Sequence, residues 1–174
     1  STGFAVLSTT STRNGCAVPA MRAGGAGSGA WLAGTDHVGR RSVFTGGPVS
    51  GVTVTGNRFD DGRTGQASYE VDLPNGGQVL LEGNTLVQSP LTENPVMLSY
   101  GAEGQPWPDS QLTVRGNTFI NRRAQGGVFV RVWTDRLPPG TSVRCEHNQL
   151  LGTGELALGR DGLSVGDRRG ALPD

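Results

Sequence analysis

Val52-Thr53-Val54-Thr55-Gly56-Asn57 is the stretch on which the reading of the fold turns, because versions of it recur along the chain. Val79-Leu80-Leu81-Glu82-Gly83-Asn84 is a second copy and Leu112-Thr113-Val114-Arg115-Gly116-Asn117 a third. Val143-Arg144-Cys145-Glu146-His147-Asn148 is a decayed fourth. Two residues beyond each Asn stands Phe59, Leu86, Phe119 or Leu150. The asparagines at 57, 84, 117 and 148 are 27, 33 and 31 residues apart. A period of that size, with strand patterning inside it and variable loops between, marks a repeat in which each unit is one turn of a coil.

Within each copy the first and third positions are apolar and the second and fourth mostly polar, so alternate side chains enter the coil and leave it. Gly then lets the backbone turn. Asn suits the corner because its short amide tolerates left-handed backbone angles and bonds turn groups that no strand partner satisfies. Stacked turn upon turn, Asn57, Asn84, Asn117 and Asn148 form a structural ladder. A further strand in each turn is expected over 68–73, 95–100 and 127–133, with a shortened member over 155–158. The connections are too short for helical crossovers, so neighbouring turns pair directly and in parallel.

Composition agrees with strands and turns. The 174 residues contain 29 Gly and no Lys, and the apolar content is mostly Val and Leu in short runs. All 15 basic residues are Arg and are matched by 15 acids, so no net field draws the chain to nucleic acid or anionic lipid. No apolar run reaches the length of a membrane span. The start at Ser1, without Met or an apolar leader, reads as a processed or trimmed N-terminus. Cys145 takes the slot of Val54, Leu81 and Val114 and reads as a small core residue. A disulfide to Cys16 requires the N-terminal segment to reach the last coil.

Three regions follow. Residues 1–45 lack the repeat and read as an irregular N-terminal cap or partial coils, with short strands at 3–7, 30–33 and 42–45; a segment belonging elsewhere is the alternative. Residues 46–158 form the coil. Residues 159–174, rich in Gly, Arg and Asp, read as an exposed end or tail.

The runs Ala67-Ser68-Tyr69-Glu70-Val71-Asp72-Leu73-Pro74-Asn75-Gly76-Gly77, Thr92-Glu93-Asn94-Pro95-Val96 and Gly116-Asn117-Thr118-Phe119 resemble bacterial right-handed parallel β-helix repeat proteins of the pectate lyase-like superfamily. The likeness covers about residues 52–152. It implies an all-β, right-handed parallel β-helix of about four to six coils. It also implies carbohydrate substrates in an extracellular or periplasmic location. The branch most similar brings no activity with it, and so few coils point to a fragment or a reduced member.

Two constellations can carry chemistry. The fourth positions make one outward column, Thr55, Glu82, Arg115 and Glu146, with Arg115 sandwiched between carboxylates roughly 4.8 Å to either side. As a catalytic pair, Glu82 and Glu146 stand at the separation of inverting glycoside cleavage. As structure, the column is a charge ladder that sets register. Arginine as a general base is disfavoured there, because two flanking carboxylates stabilise the guanidinium. On the other strand, Glu70 and Asp72 share a face with Met97, Ser99, Phe129 and Arg131, overlooked by Tyr100, Trp107 and Trp133. Carboxylates beside aromatic rings suit a sugar polymer.

Glu70, Asp72, Glu82 and Glu146 are thus the catalytic candidates, and Tyr100, Trp107, Arg115, Arg131 and Trp133 the substrate-binding ones. No cofactor is predicted. Asp60-Asp61-Gly62 and Asp161-Gly162 can offer oxygen ligands to calcium, but neither has the spacing of a known loop. His37 and His147 are the only histidines, and His147 reads as a turn residue. Three functions stay open: a polysaccharide lyase-like or hydrolase-like enzyme, a noncatalytic carbohydrate-binding module, and a structural unit that self-associates through its coil ends.

Overall fold

The computed structural model describes residues 51–66, 69–103 and 106–173 in full, and before them only the backbone of four short strands. Those four are β1 (Arg22–Ala23), β2 (Ala30–Ala33), β3 (Asp36–Val38) and β4 (Ser42–Val43). The repeat begins with β5 (Gly51–Thr55), β6 (Arg58–Asp60) and β7 (Val71–Leu73). It continues through β8 (Gln78–Glu82), β9 (Thr85–Gln88) and β10 (Val96–Tyr100), then β11 (Gln111–Arg115), β12 (Thr118–Asn121) and β13 (Val128–Val132). β14 (Ser142–Glu146), β15 (Gln149–Leu151) and β16 (Glu155–Ala157) follow, and β17 (Leu163–Val165) and β18 (Arg168–Gly170) end the series.

These strands stack into three sheets, and the chain visits them in rotation. The first sheet has the order β1-β2-β5-β8-β11-β14-β17, the second β3-β6-β9-β12-β15-β18, and the third β4-β7-β10-β13-β16. Apart from the antiparallel pair β1 and β2, every pairing is parallel. The molecule is therefore an all-β parallel solenoid of three faces, with no helix among the described residues. The expected repeat and its alternation are both present. Register across the first sheet is unbroken: Val52, Val79, Leu112 and Val143 form one row, and Val54, Leu81, Val114 and Cys145 another.

The second sheet was not anticipated as a separate face. Its signal was the apolar residue two beyond each Asn: Phe59, Leu86, Phe119 and Leu150 lie in one row and are buried. With the Val71, Leu98 and Val130 row of the third sheet they fill the interior, where Phe119 meets Phe129 edge-on at 6.1 Å between ring centres. Buried side chains of this kind contribute about 1.5–3 kcal/mol each.

Gly and Asn turn the chain from the first sheet to the second. Gly56, Gly83, Gly116 and Gly166 have φ of 65, 64, 61 and 68°, left-handed values that a side chain resists; among the described non-glycine residues His147 alone adopts one, at 54°. Behind each turn the asparagines form the expected ladder. The Oδ1 of Asn84 accepts from both the backbone N–H (2.9 Å) and the Nδ2 (3.1 Å) of Asn57. Asn117 does the same for Asn84 at 2.9 and 2.9 Å, and Asn148 for Asn117 at 2.9 and 3.1 Å. The remaining amide hydrogens of Asn84, Asn117 and Asn148 go to the carbonyls of Val54, Leu81 and Val114.

One more member of this series escaped the sequence. Leu163-Ser164-Val165-Gly166-Asp167 is a further copy with Asp at the corner, and its Oδ1 accepts from the N–H and Nδ2 of Asn148, both at 2.8 Å. Its Oδ2 takes the Ser164 hydroxyl at 2.6 Å. β17 and β18 thus carry two of the sheets into the stretch read as an end or tail, with Ser164 beneath Cys145 and Arg169 beneath Leu150. The guanidinium of Arg169 reaches the Gly154 carbonyl, so polar groups close this end of the core. In 1–45, the strands expected at 30–33 and 42–45 correspond to β2 and β4, whereas the one expected at 3–7 lies outside the described residues.

Replacing Asn117 by Ala removes an acceptor that serves two buried donors and takes the side-chain donor from the Asn148 Oδ1. We expect it to cost about 3 kcal/mol in urea unfolding, against less than about 0.5 kcal/mol for the exposed Gln111→Ala. Equal losses for the two would show the ladder to be incidental.

Candidate functional site

The outward column of the first sheet is present in register, Thr55 beside Glu82, then Arg115, then Glu146. Its charges pair differently from expectation. Arg115 gives both Nε (2.9 Å) and an Nη (2.8 Å) to the same Oε1 of Glu82. Glu146 instead pairs with Arg144, two residues back in its own strand, at 3.5 Å. Arg115 is thus bound on one side only. Both pairs are on the surface, where solvent screens them and their net contribution is small.

The third sheet separates Glu70 from Asp72. Glu70 precedes β7, and its N–H donates to the Met97 carbonyl, which puts it in the row of Met97 and Phe129. That row is sealed, for Met97 and Phe129 have no exposed surface and belong to the core. Glu70 is itself 3 % exposed, and among the described residues neither of its oxygens has a hydrogen-bond partner. Burial therefore pushes its carboxyl well above the usual range, helped by the nearby carboxylates of Asp61 and Asp60 and opposed by its own backbone amide. Asp61 is occupied by the Thr92 hydroxyl at 2.6 Å, and Asp60 by Arg58 at 2.5 Å and the Gly62 N–H at 2.8 Å. Asp72 lies in the next row, with Ser99 and Arg131, and is buried.

The aromatic residues divide in the same way. Tyr100 has no exposed surface. Its hydroxyl donates to the Gly77 carbonyl at 2.6 Å, and burial lifts its pKa to about 12. Its ring is a core element and offers no platform to a ligand. Trp107 rides on the loop between β10 and β11, tied to the preceding turn by its N–H on the Asn75 carbonyl, while its own carbonyl accepts from Ser110. Trp133 follows β13 and is half-buried on the outer face, its indole N–H directed at the Ser99 hydroxyl (3.3 Å).

Around Trp133 the structure gathers what the sequence had only partly grouped. The guanidinium of Arg131 stacks 4.3 Å from the ring centre, and that of Arg136 lies at 5.2 Å. Arg136 also binds the Ala102 carbonyl, which anchors the loop after β10. Among the described residues, neither Arg131 nor Arg136 has a carboxylate within ion-pairing distance, in contrast to Arg58, Arg115 and Arg144. Arg136 was missed by sequence reasoning, since it falls in a turn closed by its N–H on the Trp133 carbonyl.

Beside this cluster opens a cleft of about 500 Å³ between the loop after β13 and the turn before β17. Leu137, Val143 and Leu158 floor it, and Asp135, Arg160 and Asp161 stand at its rim. No chemistry of a nucleophile arises at Cys145, a free thiol buried in the core. Burial, with Asp167 and Glu146 nearby, raises it to about 12. Cys16 lies outside the described residues, as does the side chain of His37. Among the described residues no group of three or more His, Cys, Asp or Glu is placed to hold a metal ion, and no helix is long and apolar enough to cross a membrane. No family model, curated protein or solved structure matches the chain.

Glu70 yields a pH prediction. Its folded-state pKa lies above the unfolded value near 4.5, so between the two the folded form holds a proton that the unfolded chain has lost. The contribution of the neutral acid is fully present below the lower value and is lost as pH rises towards the raised one. Wild-type stability should decline through that window by up to about 1.4 kcal/mol per pH unit relative to Glu70→Gln, measured by urea unfolding at successive pH values. Parallel pH profiles for the two proteins would place Glu70 in water.

Proposed function

We propose that the chain binds an acidic polysaccharide without cleaving it, on the outer face where Arg131, Trp133 and Arg136 meet. The observation that carries this reading is the Arg131 guanidinium, stacked on Trp133 and without a carboxylate partner among the described residues. Stacking fixes the plane of the guanidinium and leaves its N–H edge to receive a planar anion. Trp133 adds an apolar surface on which a sugar ring can lie, its indole N–H fixed on the buried Ser99 hydroxyl.

The catalytic alternative draws on other residues and finds less support. Glu70 and Asp72 are sheltered from solvent, and Glu82 and Glu146 are engaged with Arg115 and Arg144. General acid catalysis requires the acid within hydrogen-bond reach of the glycosidic oxygen. A right-handed wind, favoured for parallel crossovers, belongs to the proposal, as does a location outside the cytoplasm. Both agree with the resemblance of the repeat to pectate lyase-like β-helices.

The test is retention on immobilised acidic polysaccharides together with an assay for new chain ends. Arg131→Gln and Trp133→Ala should each weaken retention about tenfold or more, and added salt should weaken it further. Arg115→Gln should leave it unchanged. New reducing or unsaturated ends, abolished in Glu82→Gln or Glu70→Gln, would replace this reading with an enzymatic one. Failure of every acidic polymer to bind would end it.

A further inference from the structure

We infer that the polymer bound beside Arg131 alternates acidic with uncharged sugars, because a cleft rimmed by more carboxylates than guanidiniums begins directly after Trp133. The inference rests on the proposed polysaccharide reading and adds the identity of the neighbouring unit. At Trp133 the groups offered to a ligand are two guanidiniums, those of Arg131 and Arg136. The next two residues, Thr134 and Asp135, already line the cleft. The lining of the cleft thus begins at the residue bonded to Trp133, which sets it next to the cationic patch.

The cleft asks for different chemistry. Its floor is apolar, where Leu137, Val143 and Leu158 each keep a small exposed fraction that the CH face of a pyranose can meet. Its rim carries two carboxylates, Asp135 and Asp161, against the single guanidinium of Arg160. Carboxylates accept hydrogen bonds from sugar hydroxyls and repel a sugar carboxylate. A uronate therefore fits at Arg131, and its neighbour in the cleft is neutral.

Both walls are held in place without a ligand. Gly159 lies so close to Thr134 that a β-carbon there would stand 2.3 Å from the threonine methyl, which locks the turn before β17 against the loop after β13. A β-carbon on Gly101 would meet Leu137 at 2.6 Å, so the floor rests directly on the neighbouring turn. The volume of about 500 Å³ lies within the range of preformed small-molecule sites.

Three probes separate the possibilities: alginate, in which every unit is a uronate; hyaluronan, in which uronate alternates with a neutral sugar; and dextran, which is uncharged. Wild-type protein should bind hyaluronan about tenfold more tightly than alginate, with dextran weakest. The double variant Asp135→Asn, Asp161→Asn should narrow that gap by strengthening alginate, since the exposed isosteric changes remove the repulsion and leave the fold intact by thermal unfolding. Arg131→Gln should weaken both acidic polymers alike. If alginate and hyaluronan bind equally and the double variant changes nothing while Arg131→Gln still weakens both, the alternation is wrong and the acidic-polymer reading survives. A preference for hyaluronan untouched by the double variant overturns the placement of the neutral unit in the cleft. Loss of the Arg131 effect overturns both.

Discussion

The hydrogen bond from one corner asparagine to the next is the constraint on which the remaining geometry depends. A parallel sheet fixes spacing between turns but not, by itself, which residue of one turn lies over which residue of the next. The amide at the corner settles that question, because its oxygen is shared by the backbone N–H and the side-chain amide of its neighbour while its second hydrogen finds a carbonyl inside the wall. A slip of one residue would leave buried donors without acceptors on every turn and would send the Val54, Leu81 and Val114 row to the outside. Loops of different length can then hang between the strands without disturbing the stack, as the uneven spacing of the asparagines demonstrates.

Much of this was readable in the residues. Alternation in four hexapeptides gave the first sheet with its register, and Asn at matched places gave the ladder. The second sheet was obscured because its strands are short, and a single apolar residue in each was taken for the flank of a corner. The turn that holds Asp167 was obscured for a different reason. The corner there is a carboxylate, it follows only 19 residues after Asn148, and the residues facing inward are Ser164 and Arg169, whose polarity conceals the strand pattern.

The candidate site was less legible, since it depends on where loops fold back. The sequence let Trp133 lean over the face that carries Arg131, and the ring and guanidinium do stack, but Glu70 and Asp72 on one open face was an inference from strict alternation. The start of the third sheet adjoins a corner, and there β13 and β16 slip by one residue between Val128 and Val130. Row partners of Glu70 belong to the apolar core, whereas in the row of Asp72 the covered Ser99 is followed by Arg131, which reaches the surface. Which cations are free was likewise beyond the sequence. Arg115, Arg144 and Arg131 occupy similar outward positions, and only the rotamers reveal that Arg115 and Arg144 have partners and Arg131 rests on a ring.

The carboxylate of Asp167 gives the amide series a direction. Asn84, Asn117 and Asn148 are each both a recipient and a giver, so a unit of about thirty residues inserted between two of them would inherit both roles and extend the relay. Asp167 can only receive, and its second oxygen already holds the Ser164 hydroxyl. Lengthening of such a coil by duplication is therefore compatible with growth from within, and incompatible with growth beyond this residue unless the acid is first exchanged for an amide.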